Sequence, residues 1–275
     1  MTQREAPPPP NGTSFGTLLS YARTIPKSIF ILYLLFLAGL FGLLAGFQYA
    51  ILRIIPIEFT LRYIYLNVGD PNPASMFLSN YMHNPLDSAH IMNNLYSVYL
   101  LIIAIFVVGI IILPALRSPM PRKFFPATFL VFLLALPFSI SGISIWSARI
   151  MGKEWSSGFS GITSAFLGLL FFLMLSLLYR TVLESRSERT PQSIFVLLTA
   201  TFCTLTLAIA QIFTELPSGT VNVYAHLGGL LLGLLIPSLI GLLLTARDRR
   251  QTAVAGIFIG LVLFIPSVFW LLMPF

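Results

Sequence analysis

The chain is short of charge: of 275 residues only 9% are Asp, Glu, Lys or Arg, and nine of those are acidic. Soluble domains carry about a quarter of their residues as charges, so this composition excludes one. Histidine occurs three times and cysteine once. The lone Cys203 cannot close an internal disulfide and says nothing of redox compartment. Three histidines with no carboxylate or thiol cluster beside them give no metal-ligand set, and neither a metal nor a cofactor is expected. Basic residues leave a net charge of +7, but the sixteen are scattered over short connections and never interleave with aromatics in a patch, which argues against a nucleic-acid partner. Alternating polarity is missing too. A stretch such as "LLGLLIPSLIGLLL" is apolar on every side, which excludes a transmembrane β-barrel.

What the chain has in quantity is apolar sequence: 57% of its residues, with a mean hydropathy of +0.90. Runs of membrane-crossing length begin near Ser28, Ser88, Phe124, Gly158, Ser193, Asn222 and Thr252, each closed by a charged or Pro-rich break. The fold class read from them is an all-α polytopic membrane protein with seven spans. Twelve basic residues (Arg4, Arg23, Lys27, Arg117, Arg122, Lys123, Arg180, Arg186, Arg189, Arg247, Arg249 and Arg250) fall on one side of those spans, against Arg53, Arg62, Arg149 and Lys153 on the other. The positive-inside rule then places the N-terminus in the cytoplasm and the C-terminus outside, with the cell membrane as the expected location. Residues 1–27, opening with the Pro-rich "MTQREAPPPPNGTSFG", read as a disordered cytoplasmic tail with no signal-peptide core. The mixed charged and aromatic segment between the first two spans suits a loop lying in the outer interface.

Strongly polar groups are costly inside a bilayer, so those found there are candidates for function. His83 and His90 stand just before and at the start of the second span, Ser160 at the start of the fourth, and His226 one turn into the sixth. The charge distribution sends all four to the outer half of the membrane. His90 and Asn94 are four apart and share a helical face. Gly229 and Gly233 follow His226 at three and seven, a stripe of small residues that lets a neighbouring helix approach backbone to backbone. Gly161, Ala165 and Gly168 form a matching stripe beside Ser160. Contact between the stripes predicts Ser160 within hydrogen-bond reach of His226, the minimum for nucleophilic catalysis. Candidate donors to a tetrahedral oxyanion are His90, Asn94 and the backbone amide of Ser160 at a helix N-terminus. Gly158 would let backbone approach a substrate, and Gly161 would allow close packing beneath the nucleophile. Each signal alone has a bland reading as helix packing or an interhelical polar contact; order, sidedness and helix face together favour catalysis. Elsewhere, Trp146 and Trp155 read as interface anchors. Gly39, Gly42 and Gly46 read as helix packing, and "TELPSG" with Glu215 as a mobile loop near the site.

The G-x-S-G of Gly158 to Gly161, the A-H-x-x-G-x-x-x-G of Ala225 to Gly233 and the H-x-x-x-N of His90 and Asn94 occur in an order that resembles the rhomboid family of intramembrane serine proteases, over roughly residues 28–246. The resemblance implies a six-helix transmembrane core over 28–246, to which 247–275 would add a cytoplasmic linker and a seventh helix. It implies Ser160 as nucleophile, His226 as general base and acid, and His90 with Asn94 as oxyanion donors. His83 resembles the family's earlier histidine and takes a supporting role with Gly158, Gly161, Gly229 and Gly233. The implied activity is serine endopeptidase, and the implied partners are transmembrane proteins within the lipid bilayer. The chain departs from the pattern in lacking a Trp-Arg pair in the first outer loop, in two extra residues between His83 and His90, and in Ser164 where many members carry tyrosine. Two rival readings are a catalytically inactive rhomboid-like protein that binds membrane clients and a transporter whose histidines relay protons. The oligomeric state is not legible in the sequence.

Overall fold

A computed structural model describes residues 15–83, 88–116, 119–180, 195, 197–206 and 223–272. The principal helices are α1 (Phe15–Thr24), α2 (Lys27–Arg53), α3 (Pro73–Leu78), α4 (Ser88–Phe106), α5 (Phe124–Leu134), α6 (Leu136–Ile150), α7 (Ser160–Tyr179), α8 (Leu197–Thr206), α9 (Val223–Thr245) and α10 (Arg249–Val268). Among the described residues the only sheet is a two-stranded antiparallel ribbon, β1 (Leu66–Asn67) with β2 (Trp155–Ser156), in the register Leu66 to Ser156 and Asn67 to Trp155. Five helices are long and apolar enough to cross a bilayer: Lys27–Ile51, Met92–Ala115, Ser160–Tyr179, Val223–Thr245 and Arg249–Leu272. Those five are counted among the described residues; the bent pair α5 and α6 passes the same test when taken together, and counted as one span it would bring the number to six. These are the features of an all-α multi-pass membrane protein. The span expected from Ser193 is represented by the short apolar α8, and the rest of it lies outside the described residues.

The run beginning at Phe124 is broken, with a 41° bend between α5 and α6. Pro137 is the cause. Its missing N–H leaves the carbonyl of Leu133 without its helical donor, and its ring crowds that turn. The freed carbonyl accepts instead from the Tyr81 hydroxyl. Asn80 Nδ2 reaches the same break, donating to the Pro137 carbonyl at 3.1 Å, to the Met76 carbonyl at 2.8 Å and to Ser141 Oγ at 2.9 Å. The loop after α3 is thereby fastened to the bend.

Helix α7 is the central post. Its most apolar stretch is 67% buried, against 11% for α2 and 6% for α10. Phe132, Phe159, Ile162, Phe166, Leu169 and Leu173 form the middle of the main core around it. The outer helix α2 touches this core along one face, where Leu40, Leu44, Gln48 and Ile51 are buried at helical spacing. Gly39, Gly42 and Gly46 are not on that face: a Cβ at any of them meets nothing within 4 Å. The expectation that they pack helices is corrected; they lie on the exposed side, next to Phe41 and Leu43.

A second correction concerns the tail. Residues 15–24, assigned to disorder, form α1, with Ile25 buried at its end. Leu18, Ala22 and Ile25 recur at spacings of four and three, and the helix rests on the Val107–Ala115 end of α4's span.

Candidate active site

Helices α7 and α9 run parallel, with Gly161 beside Gly229 and Ala165 beside Gly233. A Cβ at Gly229 would collide with the carbonyl of Gly161, one at Gly233 with that of Ala165, and one at Gly168 with that of Leu230. Only hydrogen side chains at these positions permit such backbone contact. Because the helices are parallel and in this register, their first turns arrive together at one end of the bundle. Ser160 is the first residue of α7 and His226 is the fourth of α9. Their Oγ and Nε2 atoms are 2.5 Å apart. The imidazole is buried while the serine keeps partial exposure, the disposition a base and its nucleophile need.

The segment entering Ser160 is held from three directions. Strand β2 pairs with β1, and the Val68 amide extends the ribbon by donating to the Glu154 carbonyl at 2.9 Å. The Gly158 amide donates to the Ser79 carbonyl at 2.9 Å, and Phe159 is fully buried. Gly158 has φ 135°, a conformation that side chains with a Cβ rarely adopt, so glycine is required there. That turn delivers Ser160 at the head of α7, whose first-turn amides have no acceptor within the helix. Tyr65 and Trp155 meet edge-on at 6.3 Å over the ribbon, and burial raises the Tyr65 hydroxyl above the usual phenol value.

Asn94 is buried on α4, which packs against α7. Its Nδ2 donates to His83 Nε2 at 3.0 Å. The sequence reading has Asn94 and His90 donating together to an oxyanion; the described partner of Asn94 is the earlier histidine. The side chain of His90 lies outside the described residues, as does Glu215 with its loop. His83 is clamped in turn: Gln48 Nε2 donates to its carbonyl at 3.0 Å, and its amide donates to Gln48 Oε1 at 3.1 Å. One amide side chain thus satisfies both backbone groups of a buried residue. An asparagine amide carries two hydrogens, so one N–H of Asn94 remains beyond the bond to His83.

Gln48, Asn80 and Tyr81 are residues beside the site that sequence reasoning missed. A signal existed for Gln48, a lone amide in 27 residues of apolar helix. None existed for Asn80 or Tyr81, each of which reaches a backbone carbonyl more than fifty residues away. Trp146, read as an interface anchor, packs against Tyr224 and Phe269. Trp155 is 41% exposed and meets the Tyr65 ring. Among the described residues no group of three or more His, Cys, Asp or Glu side chains is placed to hold a metal ion.

No family model matches the chain, and neither the curated proteins nor the solved structures include a match to it. Any functional reading therefore stands on the geometry and on the motifs that produce it.

Proposed function

We propose that the protein is a rhomboid-like intramembrane serine endopeptidase that cuts peptide bonds in or near the transmembrane segments of other membrane proteins. The observation that carries this reading is the 2.5 Å approach of Ser160 Oγ to His226 Nε2 at the end of an otherwise apolar bundle. His226 takes the Ser160 proton as the oxygen attacks the scissile carbonyl carbon, and the carbonyl electron pair moves onto its oxygen. Donors to that oxyanion are the Ser160 amide at the head of α7, the second N–H of Asn94, and His90. The imidazolium then gives its proton to the leaving amine as the C–N bond breaks. Water, deprotonated by His226, hydrolyses the acyl ester and restores the serine. In this reading the chain has seven spans, a cytoplasmic N-terminus, and a site open to the outside.

A second reading is kept by Ser164. Its hydroxyl is buried without a hydrogen-bond partner among the described residues, one turn below the nucleophile and against Gly229. The serine supplies no aromatic cover for His226 where the resemblance leads one to expect a tyrosine, which favours a client binder that does not cut. Covalent labelling by a fluorophosphonate separates the two. The protease takes the label in the wild type and loses it in Ser160→Ala and in His226→Ala. A folded wild type that takes no label, in detergent and in lipid, defeats the protease reading.

A further inference from the structure

We propose that the C-terminal helix is a brace for this site, with Trp146 and Arg149 as the positioning residues that transmit its hold to the two arms of the dyad; this rests on the catalytic reading above. Helix α10 lies against α6 and α9. It is not a core helix, since Ala255 is the one residue of α10 that is fully buried. Near its end the contact with α6 is close. A Cβ at Gly142 would collide with the carbonyl of Pro266, so the two backbones touch there, and Ser139 Oγ donates to the Leu263 carbonyl at 2.7 Å. The helix then tightens into a 3-10 turn, Phe269–Leu272.

Two chains of contact lead from that turn. Along the first, the Trp146 ring meets Phe269 at 6.1 Å and Tyr224 at 5.4 Å, both edge-on. Tyr224 lies two residues before His226, in the first turn of α9. Along the second, Arg149 Nη1 donates to the Trp270 carbonyl at 3.1 Å and Nη2 to the Val68 carbonyl at 3.3 Å, with the guanidinium 5.3 Å from the Trp270 ring centroid. Val68 continues the ribbon whose other strand, β2, runs through Gly158 to Ser160. Trp146 and Arg149 are three apart on α6 and so share a face. One turn at the end of the chain therefore touches the histidine arm through an aromatic contact and the serine arm through a guanidinium bridge.

The brace is tested in the full-length protein with Trp146→Ala, Arg149→Met and Trp146→Phe, measuring fluorophosphonate labelling over a range of probe concentrations, thermal unfolding and amide hydrogen exchange. Misplacement of a reacting group by about 1 Å costs on the order of a hundredfold in rate. The maximal labelling rate is expected to fall about tenfold to a hundredfold in Trp146→Ala and Arg149→Met, with half-saturating probe concentration unchanged and recovery in Trp146→Phe. Exchange should quicken at 223–227 alone in Trp146→Ala and at 155–160 alone in Arg149→Met. Wild-type labelling rates in both variants, or exchange that rises evenly over all helices, overturn the brace. If the wild type takes no label, the protease reading fails, and exchange alone decides: loosening confined to the named segment supports the brace, and even or absent loosening overturns it.

Discussion

Gln48 shows how a single polar side chain can be both a cost and a clamp. Burying an unpaired amide costs roughly 2–7 kcal/mol against an apolar reference, so a glutamine inside α2 persists only with its hydrogen bonds made. It makes them to the two backbone groups of His83, which then presents Nε2 to Asn94. Residue-scale function is expected to converge on Asn94. In Asn94→Ala the rate of acyl transfer should fall about 10²–10³-fold, as loss of one oxyanion donor does elsewhere, while the unmodified fold keeps its thermal midpoint within a few degrees. A labelling rate equal to wild type would remove Asn94 from the oxyanion site. The approach of Ser160 to His226 was legible because helical spacing is regular. The link from His83 to Asn94 was not, because residues 84–87 separate it from the helix and no periodicity crosses such a gap.

At the scale of elements, the parallel contact of α7 and α9 depends on three glycines, and the same residue type does nothing comparable on α2. A side chain at Gly229 meets the Gly161 carbonyl, whereas one at Gly42 meets open space. Gly229→Leu is therefore expected to separate the helices, lower thermal stability by more than about 3 kcal/mol as overpacking against backbone does, and abolish labelling. Gly42→Leu should leave both unchanged, within about 0.5 kcal/mol. Comparable stability of the two variants, read by thermal unfolding in the same detergent, would contradict the packing described here. Sequence spacing marked both glycine sets alike. Which set meets another helix was decided by rotation about the helix axis: the buried face of α2 is the one carrying Leu40, Leu44, Gln48 and Ile51. The proline that bends this run was equally present in the sequence, but the Tyr81 hydroxyl that takes up the freed Leu133 carbonyl comes from a 3-10 turn fifty-two residues earlier.

At the scale of the whole molecule, the starts of α7 and α9, the ribbon and the His83 clamp gather at one end of the bundle. Lys27, Arg122, Arg180 and Arg247 stand at the opposite ends of their helices. In the proposed orientation Lys153 faces outward and Arg122 faces the cytoplasm. With Cys203→Ser as background, a membrane-impermeant maleimide should label Lys153→Cys in intact cells and label Arg122→Cys only after permeabilisation. The reverse pattern would put the site on the cytoplasmic side.

Composition and hydropathy by themselves determined that this chain is a multi-pass helical membrane protein, because a bilayer admits few alternatives to long apolar helices. Spacing within two of those helices determined that a serine and a histidine would each stand beside a stripe of small residues. Only the tertiary structure decided that the stripes meet in parallel register, that His83 is the partner of Asn94, and that the C-terminal turn reaches both Trp146 and Arg149. The first and last of these depend on contacts between residues scores of positions apart, and the second crosses eleven residues, from outside α4 into it. Such contacts are selected by the packing of whole helices and leave no local pattern in the chain.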